Sequence, residues 1–250
     1  MPDSFSARAE KSRDLPLVKL LPNIVTLAAV CAGMTAIRFG FEGRYEGAVG
    51  LILLAGLLDG IDGRLARLLR CQTLVGAELD SLADFLNFGV APGLVLYAWS
   101  LHDLGGLGWI AVLCLALCCL LRLARFNVGS KAGEGSGTHF VGVPSPAGAI
   151  LALLPIIVSF LVDAPTLLPA WANALWVVGM GLMMISRVPT QSFKNLRVSR
   201  DNAHYCLLAL VLLAAGLLTF PWATLTLLSL VYLAGIVWAV RSSMKSKGKG

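Results

Sequence analysis

A polytopic bundle of transmembrane α-helices is the fold class this sequence predicts, on three observations. The 250 residues are 57% hydrophobic and only 14% charged, with a mean hydropathy of +0.80, far from the usage of a soluble domain. Apolar stretches recur that are long enough to cross about 30 Å of hydrocarbon at 1.5 Å per residue. The basic residues gather in alternate connections between those stretches, as the positive-inside rule expects.

The stretches fall near residues 20–38, 47–67, 80–100, 107–123, 145–163, 170–187, 204–220 and 222–240, which predicts an all-α bundle of about eight helices. The third is expected to begin near Asp80, after a turn centred on residues 72–76. The fourth is expected to end at the basic run Arg122-Leu-Ala-Arg125-Phe-Asn127. Only Phe220-Pro221 divides the last two, which otherwise form one apolar run. An even number of crossings puts both termini on one side. With that side cytoplasmic, all of the 20 Lys and Arg except Arg38 and Arg44 face the cytoplasm, so topology and charge agree.

The net charge of +6 and pI near 9.2 therefore reflect orientation and attraction to anionic headgroups. The charges are dispersed over loops and tails in no continuous patch, so no nucleic-acid partner is expected. Residues 1–19 read as a polar, basic cytoplasmic segment and 241–250 (RSSMKSKGKG) as a Lys-rich cytoplasmic tail. The polar start shows no cleavable signal peptide, and the first apolar run is long enough to remain an anchor, which places the protein in an inner or cytoplasmic membrane. The six cysteines form no CxxC pair and read as small apolar packing residues.

Against this background, residues 59–84 read DGIDGRLARLLRCQTLVGAELDSLAD and hold Asp59, Asp62, Asp80 and Asp84. An aspartate at a membrane-helix centre costs about 2.5–3.5 kcal/mol on insertion scales, so four together require compensation. Asp59, Asp62 and Ala66 project within about 60° of one another on a helix. Gly63 and Ala66 keep that face open, so a planar group such as a nucleotide base can approach the backbone. With Arg67 at the cytoplasmic end, Asp59 lies about 12 Å below the interface. Asp80 and Asp84, four apart, share a face of the next helix, and the two pairs converge from antiparallel neighbours. Four carboxylates at one place repel unless cations join them, and hard oxygen ligands select Mg²⁺ or Mn²⁺ over zinc or copper. A site for two divalent cations bridged by phosphate oxygens is the expectation. Local ion pairs with Arg64, Arg67 and Arg70 are the alternative; they explain neutrality but not the two small residues beside the acids.

The string fits the pattern D-x-x-D-G-x-x-A-R, eight residues, G-x-x-x-D-x-x-x-D at every defined position: Asp59, Asp62, Gly63, Ala66, Arg67, Gly76, Asp80 and Asp84. It resembles the signature of the CDP-alcohol phosphotransferases, membrane enzymes that displace CMP from a CDP-linked alcohol. Further segments look like one branch, the integral-membrane CDP-diacylglycerol–serine O-phosphatidyltransferases: LPNIVT (21–26), GAELDSLADFLNFGVAPG (76–93), RLARFNV (122–128), FVGVPSPAG (140–148) and VPTQSFKN (188–195). The resemblance covers about 20–195, an expected catalytic membrane domain. Residues 196–240, an additional helix pair, carry no comparable signal.

The resemblance implies that Asp59, Asp62 and Asp80 ligate metal, and that Asp84 completes the second metal position and acts as, or orients, the general base. Gly63, Ala66, Arg67 and Gly76 would line the nucleotide pocket, joined by Asn23 and Thr26 at the start of the first helix. The implied reaction is attack by the L-serine hydroxyl on the phosphorus bearing diacylglycerol of CDP-diacylglycerol, releasing CMP, with acyl chains left among membrane lipids. Arg122, Arg125, Asn127 and Lys194 become candidates for serine's carboxylate or the lipid phosphate; without the resemblance, the arginines read as anchors that snorkel to the interface. A homodimer is also implied.

Gly-rich 129–138 lacks the Gly-Lys-Ser/Thr ending of a phosphate loop and reads as a linker or lid. His102, His139 and His204 are scattered and read as structural. Glycerol 3-phosphate or inositol as acceptor is the nearest alternative function. An aspartate-rich prenyltransferase would carry two acidic motifs far apart, whereas Asp62 and Asp80 are 18 residues apart. An ion or proton transporter would show a second copy of the acidic pair, and none is present.

Overall fold

The computed structural model describes residues 20–69, 71, 73–131, 140–186, 189–190 and 203–247. Helix α1 (Leu21–Phe41) opens with Pro22 in its first turn, where a missing N–H costs nothing. It turns back through Glu42–Arg44 into α2 (Tyr45–Leu68), with Gly43 at φ +74° and the Arg44 N–H on the Phe39 carbonyl at 2.9 Å. The two helices pack along their length. Their contact faces are small, Ala29, Ala32 and Ala36 against Ala48, Val49, Ile52 and Ala55, all buried. In lipid, where apolar surface alone drives no association, such residues let backbones approach closely.

Helix α3 (Leu74–Phe85) begins six residues before the expected Asp80, because Thr73 caps it: its hydroxyl accepts the Gly76 N–H at 2.9 Å. Gly76 therefore sits in a helical first turn instead of a loop. A π turn (Leu86–Val90) joins α3 to α4 (Ala91–Trp99). Pro92 has no N–H to give the Phe88 carbonyl, and its ring crowds that carbonyl, so the helix opens and Ala91 bonds the Leu86 carbonyl instead. The wider turn buries Asn87 and Phe88 and seats Asn87 against Gly33 of α1.

A Cβ at Gly33 would collide with Asn87 Oδ1, and Asn87 is only 1% exposed, so it has nowhere to retreat. Gly→Ala inside a helix normally stabilises by about 1 kcal/mol. Here Gly33→Ala is expected to have the opposite sign, a loss of roughly 1–3 kcal/mol from overpacking, read as a lowered thermal midpoint in detergent.

Helix α5 (Gly106–Lys131) runs about one turn past Asn127, so the basic run Arg122, Arg125 and Asn127 at its expected end lies within the helix. Helix α6 (Ser145–Ala152) bends by 45° into α7 (Leu154–Val162). Pro155 leaves the Leu151 carbonyl without its helical donor, and the Trp176 indole N–H of α8 (Ala170–Ile185) supplies one at 2.8 Å. Strand β1 (Phe140–Val141) pairs antiparallel with β2 (Pro189–Thr190), tying the start of α6 to the end of α8. Gly142 follows at φ +90°, with the Met184 and Ser186 carbonyls where a side chain would be. Helices α9 (Ala203–Thr219) and α10 (Pro221–Lys247) divide at Phe220 as expected.

One core joins these elements around Phe88, Ile52, Leu96, Leu115, Leu151, Ile156 and Met184. Among the described residues, four helical runs are long and apolar enough to cross a membrane: Leu21–Phe41, Leu74–Trp99, Gly106–Gly129 and Pro221–Arg241. They become five if bent α6–α7 is one crossing. This narrows the expectation of eight. Helix α8 and the apolar part of α9 are shorter, and α2 carries Asp59, Asp62, Arg64 and Arg67. The protein is an integral membrane protein.

Candidate active site

Thr26 on α1 donates its hydroxyl to Asp62 Oδ2 at 2.6 Å, which fixes Asp62 on α2 against the first helix. Asp62 is 3% exposed, and its Oδ1 has no partner. One carboxylate oxygen from each of Asp59, Asp62 and Asp80 lies within 4.8 Å of the others. Asp84, one turn after Asp80, lies against the Asp59 carboxyl group, and its Oδ1 is likewise buried without a partner. The α2 and α3 acids thus converge as their spacing predicts.

No Lys or Arg pairs with these four acids among the described residues. Arg64 and Arg67 are exposed and form no ion pair there, and Arg70 lies outside the described residues. The alternative of a local salt-bridge network is absent for the two arginines that are described. Two orphaned buried oxygens and mutually close carboxylates with no ion pair among the described residues fit hard divalent cations.

Beside the acids is a cavity of about 310 Å³. All six residues that the sequence nominates for the nucleotide line it: Asn23 and Thr26 from α1, Gly63, Ala66 and Arg67 from α2, and Gly76 from α3. Asp62 and Asp80 form its acidic wall. Space beside Gly63 is open, with no atom within 4 Å of an added Cβ, whereas at Gly76 a Cβ would press on Asn23 Oδ1 and Thr73 Oγ1, each at 3.0 Å. Sequence reasoning missed Cys71, Thr73 and Ala77, which also line the cavity. Thr73 was recoverable from its capping position ahead of an apolar run.

The α5 candidates separate. Arg122 is within electrostatic range of Asp84 and donates to the Ser145 hydroxyl at the start of α6, with its Nε buried and unpartnered. Asn127 donates to Ser81 Oγ at 2.9 Å, which ties the end of α5 to α3 between Asp80 and Asp84. Arg125 is exposed and in no ion pair among the described residues. Lys194 and His139 lie outside the described residues. His102 contacts the Tyr97 carbonyl and Asp103, and the His204 ring packs tilted against Tyr205.

The family model described as CDP-alcohol phosphatidyltransferase matches residues 19–188, which include every acid and every lining residue above. A second model, CDP-alcohol phosphatidyltransferase 2, matches 205–236, in the helix pair where no family signal was expected. The chain is 37% identical over 235 residues to the CDP-diacylglycerol–serine O-phosphatidyltransferase of Mycobacterium leprae, covering 93% of this chain and 78% of that one. Relatives of the same name from Helicobacter pylori and Bacillus subtilis are 31% and 33% identical, over 71% and 70% of this chain and 74% and 92% of their own.

Proposed function

The chain belongs to the CDP-alcohol phosphatidyltransferase family, and on that premise we propose that it transfers the phosphatidyl group of CDP-diacylglycerol to the hydroxyl of L-serine, giving phosphatidylserine and CMP. The observation that carries the reading is the cluster of four aspartates, in no ion pair among the described residues, beside a cavity built from the family's small residues. Serine as acceptor rests on relatives of that name in three bacterial lineages, each aligned over most of its length.

Asp59, Asp62, Asp80 and Asp84 would hold two divalent cations. Mg²⁺ or Mn²⁺ bound there supplies charge neutralisation for the diphosphate and for the departing CMP oxygen. The chain's own residues do the rest. Thr26 holds Asp62 by one carboxylate oxygen and leaves the other free for a cation. Gly63 and Ala66 leave room for the cytidine, with Arg67, Asn23, Thr26 and Gly76 around it. Asp84 takes the proton from the serine hydroxyl as its oxygen bonds to the phosphorus bearing diacylglycerol and the bond from that phosphorus to the CMP oxygen breaks. Arg122, within electrostatic range of Asp84, offsets the charge of the lipid phosphate or of serine's carboxylate. In this reading the site faces the cytoplasm, since Arg64, Arg67, Arg122 and Arg125 gather at its end of the bundle while the other end of the α1–α2 hairpin carries only Arg38 and Arg44, and the protein works as a homodimer.

The test is an acceptor panel: purified protein, CDP-diacylglycerol, Mn²⁺ or Mg²⁺, and serine, glycerol 3-phosphate or inositol, with lipid product identified by mass. Phosphatidylserine from serine alone is the expected result, and a product from another acceptor would overturn the assignment of serine. Excess EDTA is expected to stop CMP release, and added Mn²⁺ or Mg²⁺ to restore it. Turnover that persists in chelator would contradict the metal reading.

A further inference from the structure

A second cavity, of about 560 Å³, lies between α6 and α10, away from the nucleotide cavity. Its volume is that of a ligand pocket, and its walls are almost wholly apolar. Ala147, Ile150 and Leu151 face it from α6, and residues from Leu225 to Ala239 from α10. Ser229 and Tyr232 are the polar side chains in its lining.

Ser229 is anomalous. Hydroxyls in membrane helices normally bond a carbonyl one turn back, as Thr224 and Thr226 of the same helix do, on Phe220 and Trp222 at 2.9 and 2.8 Å. Ser229 is 3% exposed, and its Oγ has no partner. A buried donor left unsatisfied is costly, so an occupant that brings an acceptor into an otherwise apolar groove would remove that cost.

Tyr232, one turn nearer the C-terminus of α10, is within electrostatic range of Arg122. Arg122 in turn is within range of Asp84 and bonds Ser145, the first residue of α6. The groove and the acidic cluster thus flank the same arginine, Arg122. Ser229 lies about 4.5 Å along α10 from Tyr232 at 1.5 Å per residue, and the apolar wall continues to Leu225. Phosphate, then ester, then hydrocarbon is the order of groups in a glycerolipid.

We propose that the groove between α6 and α10 holds one acyl chain of the CDP-linked donor lipid, with the Ser229 hydroxyl donating to that chain's ester carbonyl. The proposal rests on the donor assigned above and adds to it the role of the C-terminal helix. The chain-length preference of the enzyme is then set on α10 and α6, apart from the residues that hold the nucleotide.

Equilibrium binding of CDP-dioleoylglycerol and CDP-dihexanoylglycerol to the full chain tests this. Leu228→Trp fills the groove beyond the ester position. It should raise the Kd for the dioleoyl donor relative to the dihexanoyl donor by about tenfold or more, the scale for displacing methylene groups from an apolar pocket. Leu225→Trp, about one turn further along the hydrocarbon end of the same wall, gives the same readout should the first tryptophan variant not fold. Ser229→Ala should weaken both donors alike, about fivefold, as for one hydrogen bond. Unchanged Kd ratios in folded groove variants would overturn the proposal. Loss of co-purified phospholipid with donor affinity unchanged would also overturn it, by assigning the groove to bulk lipid. If the unmodified chain binds neither donor, the activity proposed above fails and the groove assignment falls with it; donor binding with an unaltered chain-length ratio removes the groove alone.

Discussion

Asp80→Ala and Asp84→Ala are each expected to lower CMP release by about a thousandfold or more, the scale of losing a metal-held position or a general base. Neither should unfold the protein. Asp84 Oδ1 is buried without a partner, and Asp80 makes no ion pair among the described residues, so little native bonding is lost. Each substitution also removes a carboxylate that faces others within 4.8 Å or lies against the Asp59 carboxyl group. In chelator, therefore, the variants should melt no lower than the parent chain, and with Mn²⁺ present only the parent should gain stability, because only it binds the ion that favours the native state. Thermal midpoints with and without Mn²⁺ separate this from a general loss of fold. A variant that melts lower in chelator would mean that the acids are structural.

Gly63→Leu is the second large effect. An added Cβ at Gly63 meets nothing within 4 Å, yet the residue lines the 310 Å³ cavity beside Asp62. The fold should tolerate the side chain, and Leu is the better helix former. The cavity should not: donor affinity is expected to fall by about a hundredfold, the upper range for filling a shaped pocket. The contrast with Gly33 is informative, because there the same kind of change strikes buried Asn87 and destabilises. Donor Kd and thermal midpoint measured together distinguish the two glycines, one kept open for a ligand and one for a helix contact.

The site was more legible in the sequence than the fold around it. Charges in an apolar chain stand out, and their i, i+3 and i, i+4 spacing survives any error in helix ends, so the convergence of Asp59, Asp62, Asp80 and Asp84 could be read directly. The same holds for Gly63 and Ala66, whose smallness is meaningful only beside those acids. Helix limits were harder, because a membrane helix is apolar all round and shows no change of period where it stops. The early start of α3 depended on the Thr73 cap, and the π turn on Pro92 acting four residues upstream. The bend at Pro155 is stabilised by Trp176, 25 residues away along the chain from the carbonyl it meets, a contact that only the tertiary fold supplies. The role of α10 was illegible for a similar reason: its groove has two walls, and the other belongs to α6.

Binding of Mn²⁺ to the purified chain, followed by electron paramagnetic resonance, tests the central claim most directly, because the claim is that four clustered acids, Asp62 buried and the others half-buried, form a divalent-cation site and not a structural cluster. About two ions per chain are expected in the presence of CDP-diacylglycerol, with binding lost in Asp59→Asn and Asp80→Asn, which keep shape and remove charge. A parent chain that binds no Mn²⁺ while it still releases CMP would contradict the account.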